Sequence, residues 1–411
     1  MPEFLELLAP GPALERLLGS LPAREIPAEE VETLSALGRV NARAVLAPER
    51  LPAFPRSTVD GFAVRVKDTF GASESLPAYL ALAGEVPMGR TPDFGLEAAQ
   101  AALIHTGGML PRGADGVVMV EHTQFARPAE VEVLRAAAPG ENVLLAGEDV
   151  EIGQEVLPAG VRLRPAAIGG LLALGLTRLT VARQPRVGIL SSGDEVVPPE
   201  AAVMPGQVRD INSYTLSALV TDAGGEPRRY GILPDSAAAL EMTLRQALAE
   251  CDLVVITAGS SASTRDLTAA AIDRMGGPGV LVHGVNVKPG KPTILGVCSG
   301  KAVIGLPGNP VSALVVARLF VVPLVEKLLG AAPGQPRPGV PAHLAVNIPS
   351  QAGREDFIPV QLRRDAGGYL AEPIFYKSNL IFSLAWADGL VRIPADATGL
   401  ALGEEVEVEL L

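Results

Sequence analysis

The chain has 411 residues, of which 48% are hydrophobic, with a formal net charge of −12 and an isoelectric point near 5.0. A chain of this length and apolar content predicts a folded protein of two to four domains. Because nucleic-acid backbones are bound by basic surfaces, the acidic charge argues against a nucleic-acid partner. Cys251 and Cys298 fall in or beside predicted core strands, so we expect buried thiols and no disulfide framework.

The first part of the chain predicts helical segments around a small β domain. Residues 1–18 have the pattern of an amphipathic helix, with acidic residues where a signal peptide carries positive charge, so we expect a cytoplasmic protein. Residues 26–50 also have a helical pattern, and we expect them to pair with residues 140–183. The short strands and frequent turns between them predict a β domain. The predicted boundaries are 1–54 and 140–184 for an elongated connecting domain, and 55–139 for the β domain.

The second part of the chain predicts an α/β domain over 185–330 and a C-terminal β barrel over 335–411. Strand and helix patterns alternate from 187 to 329, which is typical of a parallel sheet with helices on both faces. Ligands of such sheets bind beyond the carboxyl ends of the strands. The apolar run at 311–329 is interrupted by charged residues, so we expect a buried helix and no membrane span. The loops at the predicted carboxyl ends are SSGDE, PDS, AGSSASTRD, KPGKP and LPGNP.

The stretch VIGLPGNPVSAL, residues 303 to 314, predicts a tight turn between a buried strand and a long apolar helix. Gly308 allows the chain to reverse, Asn309 is a favourable helix N-cap, and Pro310 suits the first helical position. The amino terminus of such a helix binds anions, because its N–H groups and its dipole face the ligand. Pro307, Gly308 and Asn309 are therefore candidate substrate-binding residues, with an ordinary strand-to-helix turn as the alternative.

The loop SSGDE combines hydroxyls, a glycine and carboxylates directly after a predicted strand. Ser191, Ser192 and Gly193 would present hydroxyl and N–H groups to a phosphate. Asp194 or Glu195 would offer oxygen ligands to a divalent cation. Solvated loop acids are the alternative interpretation.

Lys288 and Lys291, two of the six lysines in the chain, lie in the stiff segment VKPGKPT. Their compact charges suit a phosphate or another oxyanion, and the alternative is a pair of surface lysines in a turn. Asp235 and Asp266 are either helix caps or metal ligands. The histidines show no zinc-type spacing, so we do not expect a zinc centre. Weaker candidates, each in a turn or loop, are Asp60, Thr106, Ser260, Ser261, Arg354 and Ser378.

Six motifs occur in order along the chain: STVDGFAVR, IHTGGMLPRGADGVVMVEHT, RVGILSSGDEVV, PGQVRDINSYTLSALV, VNVKPGKPT and VIGLPGNPVSALV. Together they resemble the MoeA family of molybdopterin molybdenumtransferases, which includes the E domain of gephyrin. The resemblance spans nearly the whole chain. It implies an elongated homodimer of four-domain subunits, in which the α/β domain is MogA-like and binds molybdopterin.

The resemblance also implies an activity, the insertion of molybdate into adenylyl-molybdopterin with a divalent cation such as Mg2+ and with release of AMP. It implies a molybdopterin adenylyltransferase as substrate donor and molybdoenzymes or their chaperones as acceptors. The site would lie where the α/β domain of one subunit meets the β and C-terminal domains of the other. The implied catalytic residues are Asp60, Thr106, Glu195, Asp235, Asp266 and Lys288, with Glu195, Asp235 and Asp266 also as metal ligands and with Arg354 and Ser378 as substrate contacts.

The chain departs from the family pattern at several positions. The loop TAGSSASTRD has Ala258, Ser260 and Ser263 where the family often has Ser, Gly and Gly, and Gly284 and Pro359 stand where a basic residue is common. Fewer basic positions leave a second hypothesis open, an insertase that prefers tungstate. A third hypothesis is a molybdopterin-binding scaffold without turnover, which the presence of the candidate acids makes less favourable.

Overall fold

The computed structural model describes residues 7–258, 262–333, 338–365, 367–375 and 377–411, including their side chains except those of 258 and 262–266. It confirms the predicted combination of an α/β sheet, a small β sheet and a C-terminal barrel. None of the helices within these ranges has both the length and the apolar character needed to span a bilayer.

The chain up to residue 184 consists of short strands with a helix near each end. The predicted amphipathic helix begins only at Pro10, since Leu8 forms an isolated β-bridge with Val285, and Ala13 and Leu17 are buried on its apolar face. The elements are α1 (Pro10–Gly19), β1 (Ala28–Glu32), β2 (Val45–Leu46), β3 (Arg56–Ser57), β4 (Gly61–Val64), β5 (Ala78–Glu85), β6 (Gln100–Ile104), β7 (Gly116–Met119), β8 (Thr123–Arg127), β9 (Glu130–Val133), β10 (Val143–Leu144), β11 (Glu155–Leu157), α2 (Pro165–Ala173) and β12 (Arg178–Ala182).

Residues 26–50, for which we expected a helical segment, contain two strands, β1 and β2, and a 3-10 helix over Thr33–Ala36 in place of an α-helix. Strand β1 pairs antiparallel with β12, from Ala28 opposite Ala182 to Glu32 opposite Arg178. Strand β2 pairs with β11, so the two segments that flank the small sheet are joined by strand pairing. The helical prediction was wrong because the partner strands lie far along the chain, and strand pairing with them outweighs local propensity.

Strands β4 to β9 form one sheet in the order β7–β4–β6–β5–β9–β8. The side chains of Phe62 and Val64 in β4 are buried in its core. Gly61 begins β4, and a Cβ at this position would lie 2.0 Å from the carbonyl oxygen of Val118 in β7. Only glycine therefore allows β7 to approach the start of β4 this closely.

The close approach at Gly61 predicts a large stability effect. We expect Gly61→Ala to lower the free energy of unfolding by at least about 2 kcal/mol, because the backbone must shift to admit the methyl group. Gly11→Ala in α1 is the matched control, since a methyl group there would meet no atom within 4 Å beyond the backbone of its own helix. Urea denaturation of both variants checks the prediction, and equal stabilities would contradict it.

Residues 186–328 form the α/β sheet and its helices. The sheet order is β16–β13–β17–β21–β20–β18, and buried apolar clusters lie on both faces. The elements are β13 (Arg186–Ser192), β14 (Val196–Val197), β15 (Val208–Arg209), α3 (Asn212–Asp222), β16 (Glu226–Leu233), α4 (Ala237–Glu250), β17 (Leu253–Ala258), α5 (Ala262–Arg274), β18 (Pro278–His283), β19 (Val287–Lys288), β20 (Ile294–Cys298), β21 (Lys301–Pro307) and α6 (Pro310–Leu328).

The prediction of a parallel sheet is correct for β16, β13, β17 and β21 but wrong for the remaining edge. Strand β20 runs antiparallel to both β21 and β18. The turn from β20 to β21 contains only Ser299 and Gly300, both with positive φ, at 50° and 79°. A two-residue turn of this kind joins antiparallel strands, whereas a parallel connection needs a crossover of a dozen residues or more.

The C-terminal strands close into the predicted barrel. Pairings run in a ring from β22 to β25, β24, β26, β28 and back to β22. The short strand β19 pairs in parallel with the start of β24, so a loop of the α/β part becomes an edge of the barrel sheet. The elements are β22 (Gly339–Leu344), β23 (Ile348–Pro349), β24 (Glu355–Asp365), β25 (Gly368–Pro373), α7 (Phe382–Ala385), β26 (Gly389–Ile393), β27 (Gly399–Leu400) and β28 (Glu405–Leu410).

Both cysteines are buried, as predicted. Burial raises the pKa of the Cys298 thiol to about 11. Burial also raises the pKa of Cys251, whose sulfur lies 3.4 Å from the hydroxyl of Tyr230. Both thiols are thus protonated at neutral pH and have the character of small apolar side chains.

Candidate active site

The loops predicted to carry chemistry meet at one edge of the α/β sheet. Strands β13, β16, β17 and β21 end at this edge because they are parallel. Strand β18 also ends there, because β20 is antiparallel to both β18 and β21. The segment KPGKP therefore follows a strand end beside LPGNP, as we predicted.

Two cavities open at this edge, and Asn309 lines both of them. We call the first, of about 660 Å³, the basic cavity; its lining includes Lys288, Lys291, Pro307, Arg354, Lys377 and Ser378. We call the second, of about 700 Å³, the serine cavity; its lining includes Ser191, Ser192, Glu195, Asp210, Asn212 and Gly308. Most of the residues predicted to bind substrate thus line one of two adjoining cavities.

The basic cavity concentrates positive charge in an acidic protein. Lys288, Lys291 and Lys377 are half of the six lysines in the sequence, and they line it together with Arg354. Among the described lining residues there is no Asp or Glu. Such a cavity favours an anion of compact charge, because lysine and arginine are the usual ligands of oxyanions.

A buried carboxylate lies behind two of these cations. Asp356 in β24 has no solvent-exposed surface, and it accepts a 2.8 Å hydrogen bond from Nε of Arg354. The Nη2 atom of Arg354 donates to the other oxygen at 3.4 Å, and Nζ of Lys288 lies 3.7 Å from that same oxygen. The pairing of β19 with β24 sets Lys288 opposite Asp356 and so brings these groups together.

The donors of the SSGDE loop have partners within the protein. The Ser191 hydroxyl donates to Asp210 at 3.0 Å, and the Ser192 hydroxyl donates to Asp235 at 2.7 Å. The Gly193 N–H donates to the carbonyl oxygen of Leu233 at 3.2 Å. A phosphate would have to displace these acceptors, so the geometry favours a different role in which the hydroxyls orient the two carboxylates.

The serine cavity also contains an acceptor that sequence reasoning missed. The side-chain amide of Asn212 donates to the carbonyl oxygen of Gly308 at 2.8 Å. Its Oδ1 atom is buried and has no hydrogen-bond partner among the described residues. A buried acceptor without a partner is costly, and a ligand N–H or hydroxyl would satisfy it.

The turn between β21 and α6 lies where the sequence predicted it, but its capping differs. Asn309 occupies the N-cap position without a side-chain capping bond, so the predicted cap is wrong in this respect. Its side-chain amide instead donates to the hydroxyl of Ser378 at 2.9 Å. The Val311 N–H donates to the carbonyl oxygen of Ser378 at 3.1 Å. The first helix amide predicted to face an anion is therefore already bound to the loop that precedes α7.

The predicted metal ligands are only partly described. Glu195 lines the serine cavity, and the Asp235 N–H donates to Oδ1 of Asp194 at 3.2 Å. Carboxylate oxygens of this kind are the ligands that Mg2+ prefers. The side chain of Asp266, with Ser260 and Ser261, lies outside the described residues. Within the described part of the chain, no group of three or more His, Cys, Asp or Glu side chains is placed to hold a metal ion.

Asp60 and Thr106 lie together in the small sheet. The Thr106 N–H donates to Oδ1 of Asp60 at 2.8 Å and its hydroxyl donates at 3.2 Å, because Asp60 precedes β4 and Thr106 follows its neighbour β6. The backbone hydrogen bond from Thr106 lowers the pKa of Asp60 below its ordinary value. His105, which sequence reasoning did not select, lies 3.7 Å from Asp60 and 3.1 Å from Glu85.

The structure thus divides the predicted site residues into two groups. Neither Asp60 nor Thr106 is among the described residues that line the two cavities. The departures at Gly284 and Pro359 are also outside the described lining of the basic cavity. Lys377, which was not predicted, is inside it and adds a positive charge to this lining.

Comparison with known proteins extends these observations to the whole chain. The MoeA N-terminal region (domain I and II) matches residues 10–175, a probable molybdopterin binding domain matches 188–327, and the MoeA C-terminal region (domain IV) matches 341–411. A putative molybdopterin biosynthesis protein of Methanocaldococcus jannaschii is 35% identical, with 93% of this chain and 92% of that protein covered. Molybdopterin molybdenumtransferase 2 of Mycobacterium tuberculosis is 34% identical, with 92% and 94% covered.

Solved structures give the same result. A molybdopterin biosynthesis MoeA protein from Pyrococcus horikoshii OT3 has a TM-score of 0.87 and 34% identity, with 99% of this chain and 100% of that chain covered. A second structure of a MoeA protein from this organism has a TM-score of 0.80 and 38% identity, with 98% and 99% covered. The resemblance based on six ordered motifs is confirmed, and the chain belongs to the MoeA family.

Proposed function

We propose that this chain is a molybdopterin molybdenumtransferase, which inserts molybdenum from molybdate into adenylyl-molybdopterin and releases AMP. Several of its relatives carry this name, among them those from Nostoc, Haemophilus influenzae and Bacillus subtilis. The observation that carries the proposal is the basic cavity, which adjoins a serine cavity lined by Glu195. One cavity suits an oxyanion, and the other offers carboxylates for a cation near a phosphate group.

The basic cavity would hold molybdate. Lys288, Lys291 and Arg354 would bind the oxygens of the dianion, and Lys377 adds a fourth positive charge to the same lining. Ser378 would donate its hydroxyl, since that hydroxyl already meets the Asn309 amide at the junction of the cavities. A bound oxyanion would in this way lie next to the pterin substrate.

The carboxylates would hold the divalent cation. Glu195 and Asp235, together with Asp266 as the family resemblance implies, would bind Mg2+ through oxygen. When bound, Mg2+ would offset the charge of the pyrophosphate and polarise its phosphorus. Ser192 would orient Asp235 through the 2.7 Å hydrogen bond already present.

The proposed transfer is a displacement at the adenylyl phosphorus. An oxygen of molybdate attacks this phosphorus, and the bond from the phosphorus to the bridging oxygen of the pyrophosphate breaks. The terminal phosphate stays on the pterin as the leaving group, and the oxygen from molybdate leaves with AMP. The bond from molybdenum to the transferred oxygen breaks, and the two dithiolene sulfurs, as thiolates, bind the MoO3 unit that remains. Lys288 and Arg354 would hold the oxyanion in position for this attack.

We further propose that the active form is a homodimer whose site combines the two groups of residues. Asp60 and Thr106 of one subunit would meet the cavities of the other, which accounts for their separation within one chain. Mixing inactive Asp60→Asn and Glu195→Gln subunits tests this. With random exchange, about a quarter of the wild-type activity returns, because each mixed dimer has one intact site. A site built within one chain would give no recovery.

Release of AMP from adenylyl-molybdopterin tests the proposed function. The purified protein with Mg2+ is given molybdate, tungstate or neither, and we expect release that depends on molybdate. A preference for tungstate would instead support the alternative hypothesis, an insertase that prefers tungstate. Pterin binding without release under any condition would overturn the enzyme proposal and favour a scaffold.

The remaining assignments are also proposals. We propose a division into residues 1–54 with 140–184, 55–139, 185–330 and 335–411, and two strand pairings, β3 with β10 and β19 with β24, cross its boundaries. We propose that the protein acts in the cytoplasm, receives its substrate from a molybdopterin adenylyltransferase and delivers its product to molybdoenzymes or their chaperones. Copurification with an adenylyltransferase would test the first of these partners.

A further inference from the structure

The feature that the proposed mechanism leaves unused is Asp356. Its carboxylate has no exposed surface and lies behind Lys288 and Arg354, two residues that line the basic cavity. A buried carboxylate is costly unless it is paired, and Asp356 is paired with two of the cations assigned to the oxyanion. The buried carboxylate is stable only while Lys288 and Arg354 stay beside it. This requirement restricts the two side chains, which would otherwise sample many rotamers.

The contacts fix both cations. Arg354 meets Asp356 through Nε at 2.8 Å and Nη2 at 3.4 Å, and its Nη1 donates to Gln351 at 3.3 Å. A guanidinium held by two parallel contacts has a defined plane. Lys288 is 56% exposed and has a flexible stem, so its 3.7 Å contact with Asp356 is what directs its ammonium group. Both groups are thereby held around one carboxylate and beside the cavity.

We propose that Asp356 is a positioning residue that sets the affinity of the basic cavity for its oxyanion by fixing Lys288 and Arg354. This inference rests on the proposed function, in which that oxyanion is molybdate. Asp356 itself does not touch the substrate, and its negative charge opposes the binding of an anion. By positioning the two cations Asp356 raises the affinity for the oxyanion, and by its own negative charge it lowers that affinity. Removing the charge therefore shows which effect is larger.

The test is Asp356→Asn, which keeps the shape of the side chain and removes its charge. Without fixed cations we expect the Kd for molybdate, measured by calorimetry, to rise by about tenfold or more. In AMP release, the KM for molybdate rises by a similar factor, while the KM for adenylyl-molybdopterin stays the same. A Kd that is unchanged or lower overturns the proposal, because charge alone predicts tighter binding.

The matched control is Glu355→Gln in the adjoining position of β24. Glu355 pairs with Arg392 at 3.5 Å, and neither residue is among the described residues that line the basic cavity. We expect its Kd for molybdate to stay within about twofold of the wild-type value. An equal rise in both variants would overturn the proposal, since it would show a general effect of charge removal on the barrel.

A second variant covers the case in which Asp356→Asn does not fold. Arg354→Lys keeps the positive charge but cannot form the paired contact with Asp356, so we expect a similar rise in the Kd for molybdate. Wild-type affinity in this variant would overturn positioning. If the wild-type protein binds adenylyl-molybdopterin but not molybdate, the proposed function fails. If the wild-type protein binds molybdate and Asp356→Asn has the same Kd, only the positioning role of Asp356 fails.

Discussion

Lys288→Ala is expected to lower kcat/KM for molybdate by about a hundredfold, the largest effect we predict for the basic cavity. Lys288 is exposed to the cavity, and its ammonium group lies 3.7 Å from a buried carboxylate. Its removal takes away a charged ligand of the oxyanion and also leaves Asp356 with one cation fewer. Steady-state AMP release at varied molybdate measures the loss, and the KM for adenylyl-molybdopterin should change by less than about twofold.

Lys67→Ala is the control for this prediction. Lys67 is an exposed lysine of the small sheet region, outside the described lining of both cavities. We expect wild-type kinetics from it. If Lys288→Ala also retained wild-type kcat/KM, the assignment of the oxyanion to the basic cavity would be wrong.

Glu195→Gln is expected to reduce AMP release by at least about a hundredfold while pterin binding falls by less than about tenfold. Glutamine has the size of glutamate but lacks the charge that binds a divalent cation. The requirement for Mg2+ should shift to higher concentration, which a Mg2+ titration of AMP release measures. Loss of pterin binding in parallel with turnover would instead indicate that Glu195 contacts the pterin.

Glu200→Gln provides the matched comparison. Glu200 is an exposed carboxylate a few residues further along the chain, and it is outside the described lining of the serine cavity. Its Mg2+ dependence should equal that of the wild-type protein. An unchanged rate of AMP release in Glu195→Gln would contradict the metal role.

The sequence predicts the parts of the fold that depend on local pattern. The strand and helix alternation, the tight turn before α6 and the C-terminal barrel each have turn residues and periodicity that specify them. It also places the loops of one sheet edge together, since the topology of parallel strands brings their ends to one side. These local signals account for the correct location of Lys288 and Asn309.

Long-range pairing is what the sequence does not show. Ala28–Glu32 forms a strand because β12 pairs with it in the fold, and nothing in its own residues indicates that partner. The antiparallel edge had a signal in the Ser299–Gly300 turn, which strand alternation alone overlooks. Asp356 had none, because a carboxylate in the segment GREDF gives no indication that it is wholly buried against Lys288.

The small sheet gives a further example. The Thr106 N–H donates to Asp60, and this contact lowers the pKa of Asp60, although the two residues are distant in the chain. The pairing of β4 with β6 creates the contact. The family resemblance is what made both residues candidates, and the structure shows that they lie in contact.

The most direct measurement is the position of molybdenum in crystals of the protein grown with molybdate, found from its anomalous scattering. We predict a molybdenum peak in the basic cavity, placed so that the oxygens of molybdate lie within hydrogen-bonding distance of Arg354 and Lys288. A peak confined to another part of the molecule, or none at a molybdate concentration that saturates AMP release, would contradict the assignment of the oxyanion to this cavity.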